Sequence, residues 1–288
     1  MTLIQGILLG ILQGIAEFLP ISSSGHLTIA QNLFGLDEVP LLFDVFLHLA
    51  TLAAVCLYFR KKIWSLLKCF GRWIARKPIA KNKNTFDQGM DALCGTDELG
   101  RKTIIAIILS TIITGIIGVI TSKVIPELPV KLICVGFLIT SALLIFSALL
   151  EKRNAEKQNP GEPPKGISKL QALFIGLMQG IGTLPGISRS GSTIAGALFC
   201  GVERSAAGEY SFIISIPAIL GAFILELKDL GDVSEAVGAL PLIAGCISAF
   251  IVGYFSLAFL MKTIRKGKLQ WFACYLIPAA ILGLIFLK

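Results

Sequence analysis

The chain has 288 residues, 55% hydrophobic and only 15% charged, with a mean hydropathy of +0.80. Soluble domains do not have this composition, so its length is counted in membrane spans rather than globular domains. The formal charge of +8 does not indicate nucleic acid, because the basic residues fall in loops between apolar runs and form no basic-aromatic surface.

The opening MTLIQGILLGILQG has the apolar core of a signal peptide but no positive n-region and no clear cleavage site. Glu17 and Pro20 follow at once, so this stretch is expected in the mature protein. Residues 2–35 are apolar but broken midway by a Pro/Ser/Gly cluster. Full spans are expected at 41–60, 103–122 and 130–150, then at 206–227, 237–261 and 269–287. Between the two sets, residues 168–201 repeat the broken pattern. The halves of 2–35 and 168–201 are too short to span and predict two re-entrant helical hairpins. Irregular backbone at membrane depth is tolerated only where protein or a watery cavity satisfies it. The expected fold is an all-α integral membrane protein with six transmembrane helices and two re-entrant hairpins. The seven cysteines (Cys56, Cys69, Cys94, Cys134, Cys200, Cys246, Cys274) are scattered and form no CxxC, which argues against a disulfide framework or zinc site.

Loops 60–102, 151–169 and 262–268 carry the basic residues, among them Arg60, Lys61, Lys62, Lys81, Lys83, Lys152, Lys157, Lys165, Lys262 and Arg265. The alternate connections are acidic: Asp37 and Glu38, then Glu226, Asp229, Asp232 and Glu235 against Lys228. This alternation puts the basic loops in the cytoplasm and both termini outside. Loop 60–102 is long enough for a small cytoplasmic appendage.

Shifting the chain by 166 residues lays QGILLGILQGIAEFLPISSSG (5–25) on QALFIGLMQGIGTLPGISRSG (171–191) without a gap. Gln5, Gly10, Gln13, Gly14, Ile15, Ile21, Ser22, Ser24 and Gly25 meet identical residues. Chance apolar similarity would not align polar positions. The expected organisation is a first inverted repeat over 1–150, a cytoplasmic linker over 151–167 and a second repeat over 168–288, with the broken tips meeting near the bilayer midplane. Gly6, Gly10 and Gly14, and Ala172, Gly176 and Gly180, make stripes suited to close helix approach.

The tips EFLPISSSGH (17–26) and LPGISRSGST (184–193) carry the chemistry. Each offers serine N-caps and a helix start with free N–H groups, a setting for an anion. Arg189 adds a planar fork suited to phosphate; the competing reading pairs it with Glu17 to join the halves. Glu17 beside an anion calls for protonation, pairing or a divalent cation; alternatively it orients His26. His26 suits proton transfer, and the serines offer a nucleophile. His48, in FDVFLHLATL, reads as a packed or supporting residue, and Asp44 and Glu209 as pocket partners or interfacial carboxylates.

QGIAEFLPISSSGH together with LPGISRSGSTIAGAL resembles the undecaprenyl-diphosphate phosphatase, or bacitracin-resistance, family. FDVFLHLATL and EYSFIISIPAILGA extend the resemblance over nearly the whole chain, most weakly at 78–102. The resemblance implies a bacterial inner-membrane enzyme that hydrolyses undecaprenyl diphosphate, recycling the lipid carrier for cell-wall synthesis. It also implies an outward-opening pocket and a divalent cation, Mg2+ or Ca2+. The family's (Glu/Gln)-x-x-x-Glu motif matches Gln13 to Glu17, with Gln13 the amide variant and Glu17, with Gln13, the metal position. Ser22, Ser23 and His26 match the first tip, and Pro185 to Gly191 match Pro-Gly-x-Ser-Arg-Ser-Gly. The catalytic set expected is Glu17, Ser23, His26 and Arg189; the phosphate-binding set is Gln13, Ser22, Ser188, Ser190, Gly191 and Thr193. Ser23 is the first candidate nucleophile, against His26 or a metal-activated water. The rival function is a polyprenyl-phosphate flippase or secondary transporter, since broken helices in inverted repeats also serve transport. The partners expected are the lipid substrate and the bilayer; a homodimer is left open.

Overall fold

Both broken regions fold as two short helices around a tip, and the cap that starts each is the same. The computed structural model describes residues 1–36, 41–79, 91–124, 129–155, 166–226 and 238–286. Helix α1 (Leu3–Ala16) opens with a capping box: Thr2 Oγ1 accepts from Gln5 N, and Gln5 Oε1 accepts from Thr2 N. α2 (Ser23–Leu33) follows the tip. The rest of the first half is α3 (Leu41–Tyr58), α4 (Arg60–Ile74), α5 (Asp97–Val124) and α6 (Val130–Ala155). α7 (Lys169–Ile181) repeats the capping box with Ser168 and Gln171. Then come α8 (Arg189–Phe199), α9 (Arg204–Glu226), α10 (Ala239–Arg265), a 3-10 turn at Leu269–Phe272 and α11 (Ala273–Phe286).

The glycine stripes explain how the halves interlock. A Cβ on Gly6 would lie 2.5 Å from the carbonyl oxygen of Pro241, and one on Gly10 only 2.2 Å from that of Gly245. α1 therefore lies directly on the backbone of α10, in the other half. α7 does the same to α5: Ser110 Oγ donates to Ala172 O at 2.6 Å, and Thr114 Oγ1 to Gly176 O at 3.0 Å. Close backbone approach of this kind leaves no room for a side chain. Gly10→Val is expected to cost about 3 kcal/mol, read as loss of monodisperse protein after detergent extraction.

The ion pairs show which loops share an end. Lys62 of α4 pairs with Glu209 of α9, and Arg265 at the end of α10 approaches the same carboxylate at 3.8 Å. Arg204 of α9 pairs with Glu151 near the end of α6. The ends of α3, α6 and α10, from which the basic loops leave, thus gather at one end. α1 begins beside Pro241, at the opposite end of α10. α7 begins beside the end of α8, where Gln171 Nε2 donates to Cys200 O at 3.0 Å, close to Arg204 and so at the basic end.

Among the described residues five helices are long and apolar enough to cross a membrane, or six if α3 and α4 count as one bent span. The expected span 41–60 stops at Tyr58 and turns by 79° into α4. The expected loop 60–102 is thus partly helical, because α4 has a packed face that the count of its charges hides. Of the residues used for orientation, Asp37, Glu38, Lys81, Lys83, Lys157, Lys165, Lys228, Asp229, Asp232 and Glu235 lie outside the described residues.

Candidate active site between the two tips

Pro20 ends the helical run of α1, and Phe18 pins the first tip, its ring packed on Phe212 at 5.7 Å and against Gly253. Ser22, in the left-handed region at φ 72, turns the chain and caps α2 by accepting from Gly25 N. In the second tip Gly186 takes the positive φ, at 86°, and Ser188 caps α8 by accepting from Gly191 N at 3.1 Å. The tips touch: Ser190 Oγ donates to Phe18 O at 3.1 Å.

Glu17 is the centre of the site. Its carboxylate is nearly buried and pairs with Arg189 across the two halves. Ser23 Oγ donates to Glu17 Oε2 at 2.7 Å and Gln13 Nε2 donates to it at 3.1 Å. His48 Nε2 stands 3.5 Å from that oxygen. The Arg189–Glu17 pair weighed from the sequence is therefore present. Beside it, the donor Arg189 Nη1 and the acceptor Gln13 Oε1 are buried and have no partner among the described residues. Buried polar atoms are rarely left so, and a donor invites an anion while an acceptor invites a cation or water.

The structure does not join Glu17 to His26. Nδ1 of His26 lies 2.9 Å from Ser22 O, which can only accept, so Nδ1 carries the proton there. Nε2 then accepts from the Tyr275 hydroxyl at 2.7 Å. The ring stacks on Phe137 at 4.9 Å and on Tyr275 at 5.6 Å. Histidine nine residues on from Glu17 lies past the turn at Ser22, which carries it away. His48 takes the place beside Glu17 instead. Its Nδ1 donates to Asp44 O at 2.7 Å, and Asp44 Oδ1 accepts from Gln31 Nε2 at 2.9 Å. Glu209 is not part of the site, since its partners are Lys62 and Arg265 at the basic end.

The hydroxyls expected on phosphate are engaged in building the tips. Thr193 Oγ1 donates to Arg189 O at 2.6 Å, and Ser188 Oγ meets Ser190 Oγ at 3.2 Å. Their arrangement fixes Arg189 at the first residue of α8. Tyr275 was missed from the sequence, because nothing local marks a tyrosine 249 residues from its partner. Among the described residues no three His, Cys, Asp or Glu side chains cluster as a metal cage. Glu17 and the unpartnered Gln13 Oε1 still supply two hard oxygens, which suits a cation that keeps waters and binds phosphate.

The fold and site define a multi-pass helical membrane protein with a charged centre where two broken helices meet. The chain belongs to the bacitracin resistance protein BacA family, whose family model matches residues 6–282. It is 47% identical over 281 residues to an undecaprenyl-diphosphatase of Treponema denticola, covering 98% of this chain and 96% of the relative. It is 41% identical to an undecaprenyl-diphosphatase of Desulfatibacillum aliphaticivorans, covering 97% of each. An undecaprenyl-diphosphatase of Methanobrevibacter smithii is 37% identical, covering 96% of this chain and 94% of the relative.

Proposed function

We propose that the protein hydrolyses undecaprenyl diphosphate to undecaprenyl phosphate and inorganic phosphate, recycling the carrier for cell-wall synthesis and conferring bacitracin resistance. The observation that carries this is the Glu17 carboxylate, shared by Arg189 from the second tip and Ser23 from the first. The full-length similarity to undecaprenyl-diphosphatases supports it.

Ser23 Oγ attacks the terminal phosphorus, and its proton passes to Glu17 Oε2. The anhydride P–O bond breaks, undecaprenyl phosphate leaves, and the phosphoryl group rests on Ser23. Water then attacks that phosphorus and gives its proton to His26 Nε2, the Ser23 O–P bond breaks, Ser23 takes its proton back from Glu17, and inorganic phosphate departs. Arg189, through Nη1, holds the phosphate oxygens, and the first-turn N–H groups of α2 and α8 share the charge. Ser188, Ser190, Gly191, Thr193 and Ser22 keep those helix starts in place. Glu17 and Gln13 would hold a divalent cation, Mg2+ or Ca2+, whose charge offsets that of the diphosphate. This scheme favours Ser23 over His26 as nucleophile, because both His26 nitrogens are engaged. His26 serves as the base toward that water, through the unprotonated Nε2 that is freed once Tyr275 yields.

Tyr275→Phe removes the hydrogen bond to His26 Nε2 and keeps the ring. It is expected to lower kcat about fivefold with KM unchanged, and to have no further effect on a His26→Ala background.

The two hairpins enter from opposite sides in this reading, as inverted repeats over 1–150 and 168–288 joined by 151–167, with six spans. The opposite starts of α1 on α10 and of α7 near Cys200 support it. The gathered helix ends from which the basic loops leave support a cytoplasmic placement of those loops in the inner membrane, with the site opening to the outer face. Phosphate release from undecaprenyl diphosphate by purified protein tests the function. Release should stop with chelator and return with magnesium; tight lipid binding without release would oppose it.

A further inference from the structure

α4 has three faces, and among the described residues only one of them is packed against the protein. At 3.6 residues per turn, Trp64, Leu67, Phe70 and Ile74 fall within about 120° of arc. They are 56, 54, 40 and 66% exposed, too much for a core stripe. Lys61, Lys68 and Arg72 form a ridge along one edge of that arc, with Lys61 and Lys68 exposed. Ser65, Leu66 and Cys69 occupy the third face and are buried.

The third face is fastened by polar contacts. Lys62 Nζ is 2.8 Å from Asp91 Oδ2 and also pairs with Glu209. Cys69 Sγ donates to Asp97 O at 3.5 Å, and Arg72 Nε lies 3.7 Å from Asp97 Oδ1. The rotation of α4 is thereby set, and with it the direction of the apolar stripe. The 79° bend after α3 lays α4 across the direction of that span rather than along it. A helix of this kind at the end of a span lies at the membrane surface, apolar face in and basic residues toward headgroups. Lys68 Nζ sits 5.4 Å from the Trp64 ring centre, and Lys268 Nζ 4.4 Å from that of Trp271. Amphipathic aromatic rings and lysines are the side chains of the headgroup layer.

We propose that α4 is an in-plane anchor, its Trp64–Leu67–Phe70–Ile74 face inserted in the leaflet on the side of the basic loops and its lysine ridge holding anionic phospholipid headgroups. The occupant is lipid rather than a second chain because the stripe and the ridge are adjacent, as apolar chains and anionic headgroups are in a leaflet. Nothing in this depends on the reaction at Glu17.

The test uses full-length protein in nanodiscs, reading Trp64 emission as wild type minus Trp64→Phe. Lipids brominated high on the acyl chain should quench that emission strongly, and aqueous acrylamide weakly. Quenching by acrylamide but not by brominated lipid overturns the anchor. Quenching by neither overturns it too, and points to a protein partner such as a second copy. Retention of phosphatidylglycerol from mixed phosphatidylcholine–phosphatidylglycerol vesicles tests the ridge. Lys61→Gln/Lys68→Gln should retain about fivefold less of the anionic lipid than wild type. Equal retention refutes the headgroup site.

Discussion

Arg189→Ala is expected to reduce phosphate release about 10³-fold, the scale on which a transition-state arginine acts. Arg189 is the second tip's charged contribution to the centre, it is held against Glu17, and its Nη1 is buried with no partner among the described residues. Removing it takes away the phosphate fork and leaves Glu17 buried without its cation, so two losses coincide. Arg189→Lys should not restore the rate, because a lysine supplies a point charge rather than two parallel N–H groups. Folding must be checked beside activity, since the ion pair also joins the halves. A double variant, Arg189→Ala with Glu17→Gln, should recover much of the thermal stability and none of the turnover. Steady-state release and a thermal melt of both variants in one detergent separate the two effects.

Ser23→Ala is expected to abolish turnover, by about 10⁴-fold or more, while the lipid still binds. Ser23 Oγ donates to Glu17 Oε2 at 2.7 Å and stands at the first residue of α2. A phosphoryl group on that oxygen would sit at a helix N-terminus, where negative charge is favoured. The substitution removes one hydroxyl from a part-exposed position, so stability should change little. Binding of the lipid measured on the same sample distinguishes a lost nucleophile from a lost site. If His26 were the nucleophile instead, Ser23→Ala would retain a substantial rate and His26→Ala would not.

Much of this arrangement was legible in the sequence, for physical reasons. Broken apolar runs announced two hairpins because a dozen apolar residues cannot span, and Pro20 and Pro185 cannot continue a helix. The 166-residue repeat aligned Gln5 with Gln171 and Ser22 with Ser188, and these pairs prove to be the same caps. Glycine spacing showed which faces must approach closely, though not that each α-helix would choose the other half's helix. What escaped were contacts between distant elements. His48 reads as a packing residue in an apolar run, and its place beside Glu17 comes from how α3 lies against the tip. Tyr275 has no local pattern at all. α4 was hidden because its charges suggested a loop, while Ser65, Leu66 and Cys69 gave it a face to pack.

A carrier that only moves the lipid needs Arg189 but has little use for a serine hydroxyl held on a buried carboxylate. The Ser23–Glu17 pair is therefore the feature that separates hydrolysis from transport. The most direct measurement is phosphate release from undecaprenyl diphosphate by purified wild type and Ser23→Ala, with lipid binding measured on both. Release by wild type alone, with equal binding, is the predicted result. Release by Ser23→Ala at the wild-type rate, or tight binding by wild type with no release, would contradict the account.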